Sequence, residues 1–179
     1  YIPFKNSSTM GWFYRFFRNF VPPSFSVFDR GLMHDEEKTQ RIFTVGKHKL
    51  APNICFEISF PELLRQGTDK GATVHLCPAN DAWFVRGAPG RGISTAEIAL
   101  AQAHTKFRAI ENRRSMVRCV NRGVSLVVDP KGETVSRIER IGPDGEPVTV
   151  GVAGTLVVRP PVSDLRTFYV RFGNVFPLA

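Results

Sequence analysis

The chain has 179 residues, 24 Lys plus Arg against 16 Asp plus Glu, a formal charge of +8 and a pI near 9.9. With 42% hydrophobic and 22% charged residues it carries enough apolar material for a core, which excludes a disordered chain and a miniature disulfide scaffold. No uninterrupted apolar run approaches the roughly 18 residues that span a bilayer.

From Met10 to Phe20 the sequence MGWFYRFFRNF fits an amphipathic helix. Trp12, Phe13, Phe16, Phe17 and Phe20 share one arc, and Arg15 and Arg18 lie opposite. Pro22 and Pro23 end it. Two readings fit: a short core-facing helix, or an interfacial helix at a lipid headgroup boundary. Residues 29–41 are polar and read as a loop. Ile42–Val45 and Leu50–Phe56 read as strands, with Gly46 and Lys47 at the turn. Pro61 opens a short helix that Gly67 is expected to close.

The run ATVHLCPA (72–79) is an apolar strand ending at Asn80-Asp81-Ala82-Trp83, and Gly87 to Gly92 form a loop. Ser94 to Glu97 have capping-box spacing, with Ser94 as N-cap of the longest helix, about Thr95 to Arg113. Met116–Asn121 and Val124–Val128 read as strands, and Asp129-Pro130-Lys131-Gly132 as a hairpin turn. Strands at Glu133–Ile141 and Val148–Val158 follow, separated by Gly142-Pro143-Asp144-Gly145. The order of elements predicts an α/β or α+β fold with helices covering one face of a sheet.

Cys55, Cys77 and Cys119 are widely spaced, and with the four His they form no metal-ligand pattern. Cys77 and Cys119 lie within apolar strands and are expected to be buried and unpaired. Cys55 stands at a strand end just ahead of a helix start, where unpaired N–H groups lower a thiol pKa and bind a developing oxyanion. Its two readings are a nucleophile and a small buried hydrophobe. On an extended backbone Glu57 would share its side. A Cys–His pair has no support from sequence proximity, since His104 lies on the long helix. Asn80 and Asp81 would emerge at the same sheet edge as Cys55 if the strands are parallel, as a site or as a plain turn.

These residues make the chain resemble the nitrilase (carbon–nitrogen hydrolase) superfamily, and within it the apolipoprotein N-acyltransferases. ICFEISFPELLR (54–65) is similar to the nucleophile segment, NDAWF (80–84) to an active-site border, residues 107–133 to the helix, strand and DPxG hairpin, and RTFYVRFGN (166–174) to the stretch before a final membrane helix. The resemblance implies an α-β-β-α sandwich whose N-terminal part is missing. Residues 1–179 would be the C-terminal portion of the carbon–nitrogen hydrolase domain, with 1–31 as a membrane-proximal aromatic arm.

The family uses a Glu–Lys–Cys triad and a thioester intermediate. Cys55 takes the nucleophile position, and Tyr1-Ile2-Pro3-Phe4 resembles the continuation of the Lys motif. Lys and Glu are therefore expected upstream of Tyr1, not at Lys5, Lys47 or Lys49. The Phe56 backbone is the candidate oxyanion donor, Glu57 and Asn80 shape the pocket, and Trp83 lines it. Phe56 replaces the usual Tyr, and Leu100-Ala101 replace a Gln-His pair. The implied reaction moves an acyl chain from a phospholipid to the N-terminal amine of an apolipoprotein, at the bacterial inner membrane and facing the periplasm. It needs no cofactor, no metal and no nucleic acid. The alternatives are a soluble amidase of the same superfamily and a degenerate basic membrane-binding module.

Overall fold

The computed structural model describes residues 40–86 and 93–175. The chain divides into two units, Tyr1–Lys38 and Thr39–Ala179. The aromatic arm with Trp12, Phe13, Phe16, Phe17 and Phe20, and the loop Gly87 to Gly92, lie outside the described residues.

A hairpin opens the second unit. β1 (Phe43–Val45) and β2 (His48–Pro52) pair antiparallel across Gly46 and Lys47, as the turn residues predict. β2 stops at Pro52, short of the predicted Phe56, because the chain turns at Asn53 into a 3-10 helix, Cys55–Ser59. Helix α1 (Pro61–Asp69) follows with Pro61 in its first turn, where a missing N–H removes no helical bond. Strand β3 (Val74–Ala79), a 3-10 turn (Ala82–Phe84) and the short pair β4 (Val85–Arg86) and β5 (Ile93–Ser94) lead to helix α2 (Ala96–Asn112). Then come β6 (Ser115–Val120), β7 (Leu126–Val128), β8 (Thr134–Arg137), β9 (Arg140–Ile141), β10 (Pro147–Val148) and helix α3 (Phe168–Phe172).

Six strands form one mixed sheet in the order β1-β2-β3-β6-β7-β8. β2, β3 and β6 run parallel, joined by the crossover helices α1 and α2; the other pairings are antiparallel. The parallel pairing places the segments after β2 and β3 at one sheet edge, where α/β sites assemble. Cys77 stands beside Arg118 and Arg118 beside Leu126, while His75 stands beside Met116 and Met116 beside Val128. The core joins Cys77, Met116, Leu126 and Val128 of the sheet to Leu64 of α1 and Ile98 and Ala109 of α2. This helix layer on a mixed sheet is the predicted α/β class.

Gly67 does not end α1; it is buried within it. A Cβ there would lie 3.1 Å from Ala51, Gln40 and His75 side-chain carbons, so glycine lets the helix approach β2 and β3. Beside it, fully buried His75 joins three elements. Thr68 Oγ1 donates to Asn112 Oδ1 (3.0 Å), so the same oxygen accepts from His75 Nε2–H (2.9 Å). Nδ1 then accepts from Asn53 Nδ2 (3.0 Å). The imidazole is neutral: burial, with the Arg114 charge adding to it, pulls its pKa from 6.5 to about 3.

Three further expectations change. The N-cap of α2 is Thr95, without a side-chain cap bond, because Ser94 is still in an extended pairing with Val85. The predicted strand Glu133–Ile141 breaks into β8 and β9, since the tight turn at Gly142 to Gly145 folds β9 onto β10. Of Val148–Val158 only Val148 is in a strand. The rest is irregular up to Pro160 and Pro161, which lack the N–H a ladder needs, and Val157 is 93% exposed. The chain beyond it, from Pro161 to Val170, is held by individual bonds: Ser115 Oγ donates to Pro161 O, Arg114 to Leu165 O (2.7 Å), Thr167 Oγ1 to Glu111 O (2.6 Å) and Arg65 to Val170 O (3.0 Å). Among the described residues no helix is long and apolar enough to cross a membrane.

Candidate active site

Cys55 is the first residue of the 3-10 turn and has φ of 54°, a left-handed value that a side chain with a Cβ disfavours. Among the described non-glycine residues it shares this feature only with Arg113, which caps α2. The turn is closed by Glu57 N–H donating to Ile54 O (3.0 Å) and by Ile54 N–H donating to the Glu57 carboxylate (2.6 Å). Glu57 therefore does not extend along a strand beside Cys55, as the sequence suggested; its carboxylate bonds back to the turn's own entry.

A cavity of about 50 Å³ opens at this turn, lined by Cys55, Phe56, Ile58, Ser59, Asp81, Phe84, Glu97, Leu100, Ala101, His104 and Arg118. Cys55 and Phe56 of the predicted site line it. Glu57, Asn80 and Trp83 do not. Asn80 is exposed; its Oδ1 accepts from Ala82 N–H (3.1 Å) and Asn121 Nδ2 (2.7 Å), pinning the turn after β3 to the end of β6. Trp83 is 78% exposed on the 3-10 turn that follows. Lys47 and Lys49 are exposed on the β1–β2 hairpin, away from the lining.

Of the polar lining, the sequence places Asp81 at the edge shared with Cys55 but does not mark Glu97 or Arg118 as site residues. Asp81 and Arg118 form an ion pair (2.8 and 2.9 Å to the two carboxylate oxygens) with side chains only 4% and 3% exposed. Gly123 lies tight against it, since a Cβ there would come 2.0 Å from Asp81 Oδ2. Glu97 and His104 are seven residues apart on α2, a spacing that puts both on one helix face with Ala101 between. That spacing was the available signal. Burial first, and the nearby Arg108 charge second, lower the His104 pKa from 6.5, so the imidazole is neutral at neutral pH.

All three cysteines are free, and they are not equivalent. Burial pushes the Cys77 thiol up to about 11, which leaves it protonated and inert as a nucleophile. Cys119 is exposed, not buried as expected: strand alternation turns Arg118 toward the helices and its neighbour to the opposite face. Half-buried Cys55 alone combines access, a strained backbone and a cavity. Among the described residues no group of three or more His, Cys, Asp or Glu is placed to hold a metal ion.

The sequence model of the carbon–nitrogen hydrolase family matches residues 12–144. The chain is 42% identical over 127 residues to an apolipoprotein N-acyltransferase of Shewanella oneidensis, covering 71% of this chain and 21% of that protein. It is 32% identical over 161 residues to the protein of the same name from Thermotoga maritima, covering 87% and 28%. With the Borreliella burgdorferi protein of that name it shares 31% over 126 residues, covering 70% and 22%. The chain thus spans under a third of the length of these curated relatives.

Proposed function

Because this chain belongs to the carbon–nitrogen hydrolase family, we propose that it supplies the nucleophile of an N-acyltransferase that matures lipoproteins. The Cys55 sulfur attacks the ester carbonyl of a phospholipid and the ester C–O bond breaks. The lysophospholipid leaves as an alcohol carrying the proton that the thiol gave up, and the acyl chain stays on sulfur as a thioester. The N-terminal amine of an apolipoprotein then attacks that thioester and releases the Cys55 sulfur. The observation that carries this reading is the left-handed turn at Cys55, between a parallel strand and a helix and lining a cavity. The relatives named apolipoprotein N-acyltransferase support the choice of acceptor.

The Phe56 backbone N–H, next to the nucleophile, is the candidate oxyanion donor. Glu57 serves the site through its bond to Ile54 N–H, and Asn80 by holding the turn that carries Asp81. Trp83, 78% exposed beyond the cavity, and Phe56, 68% exposed at its lining, offer apolar surface for an acyl chain. In this reading the protein sits at the bacterial inner membrane with this domain facing the periplasm. The Phe-rich arm with Trp12, Phe13, Phe16, Phe17 and Phe20 then lies at the lipid surface, where the +8 charge favours anionic headgroups.

Acyl transfer from phospholipid to a peptide with a free N-terminal cysteine amine, followed with the intact protein in vesicles, tests the reading. Cys55→Ala is expected to lower the rate by about a thousandfold or more. Retention of the rate within about tenfold would overturn the assignment.

A further inference from the structure

A chain of buried polar contacts runs behind Cys55. The Cys77 thiol lies under the nucleophile turn and donates to the Cys55 carbonyl oxygen across 3.9 Å, within the longer reach of a sulfur donor. Arg118 Nη1 donates to the same sulfur (3.2 Å), and Arg118 Nη2 is held by both oxygens of Asp81. Cys77 is fully buried, and the Asp81 and Arg118 side chains are nearly so. Sequence separations of 22, 41 and 37 residues make these contacts products of the fold, not of local turn geometry.

We propose that Cys77 and Arg118 are positioning residues for the nucleophile: the Asp81-anchored guanidinium orients the Cys77 thiol, and that thiol holds the Cys55 carbonyl so that the left-handed turn persists. The inference rests on Cys55 being the nucleophile. A left-handed residue with a Cβ survives only where its surroundings over-determine it. On the chain side the turn has the Ile54 and Glu57 bonds; on the sheet side Cys77 supplies the contact. Because burial keeps the thiol protonated, it has a hydrogen to give. Its sulfur lone pairs meanwhile receive Arg118. One small side chain between a backbone acceptor and a cation must both donate and accept, as a thiol or a hydroxyl does and a methyl does not.

Cys77 also belongs to the apolar core cluster, and the two roles predict opposite rank orders. If it only packs, Cys77→Val is tolerated and Cys77→Ser, which buries a hydroxyl, is harmful. If it positions Cys55, serine restores function and valine does not. The test is the rate of Cys55 alkylation by iodoacetamide in the intact protein, read by peptide mass spectrometry against pH, with exposed Cys119 as internal reference. We expect Cys77→Val to slow Cys55 about fivefold with a shifted pH profile, and Cys77→Ser to stay within about twofold of wild type. Arg118→Lys keeps the charge opposite Asp81 but gives up the planar fork that serves both partners, and is also expected to slow Cys55. It decides the matter if Cys77→Ser does not fold. Wild-type rates at Cys55 in both Cys77→Val and Arg118→Lys would overturn the inference while leaving the nucleophile reading intact. Wild-type Cys55 no more reactive than Cys119 would overturn that reading, and the inference with it.

Discussion

Arg118→Met is expected to destabilise the domain by about 3–5 kcal/mol, because it strands a buried carboxylate. Asp81 is 4% exposed, bonds Arg118 through both oxygens and has Gly123 pressed against it. Adding Asp81→Asn to Arg118→Met removes the stranded charge and should recover much of the loss, a non-additivity characteristic of a coupled pair. Urea unfolding of the single and double variants measures it. A cost below about 1 kcal/mol for Arg118→Met would show that the pair is solvated, like a surface salt bridge.

The second large effect is a loss of stability in acid, centred on His75. Above pH 6.5 its imidazole is neutral in both folded and unfolded chains and contributes no pH dependence. Below pH 6.5 the unfolded chain takes up a proton that the folded chain, with a pKa of about 3, refuses. Unfolding is then favoured by about 1.4 kcal/mol for each pH unit, until the folded pKa is reached. Stability is thus complete above 6.5 and drains away as pH falls toward 3. His104, whose pKa is also lowered, works in the same direction. A His75→Gln variant, less stable at pH 7, should show a slope flatter by one proton between pH 6 and 4. An unchanged slope would mean that His75 titrates normally in the folded protein.

Much of the scaffold was legible in the sequence because it is written in local chemistry. The turns at Gly46-Lys47 and Asp129 to Gly132, the Pro61 helix start, and strands β3 and β6 were each predicted from residues a few positions apart. At the Asp129 turn the Asp129 carboxylate takes N–H bonds from Lys131 and Glu133, the local competition that favours Asp there. What was not legible depends on residues distant in the chain. Gly67 reads as a helix end until Ala51 and His75 arrive beside it. The stretch after Val148 has strand-like composition, yet pairs with no strand, and the chain beyond it at Pro161, Leu165 and Thr167 is held by bonds to Ser115, Arg114 and Glu111. The candidate site divides in the same way. Cys55 and the shared edge with the turn after β3 were visible as strand-end chemistry. The Asp81–Arg118 pair and the Cys77 contact join segments dozens of residues apart, and no local pattern announces them; for His104 the spacing to Glu97 gives the helix face but not what that face meets.

In the proposed reaction Cys55 carries the acyl group. Incubating the intact protein with phospholipid vesicles, then digesting and weighing the peptide that contains Cys55, tests it most directly. The expected result is an added acyl mass on that peptide, removed by neutral hydroxylamine as a thioester and absent from Cys55→Ala. Acyl transfer to the acceptor with Cys55 never acylated, or the acyl mass on Cys119 instead, would contradict it.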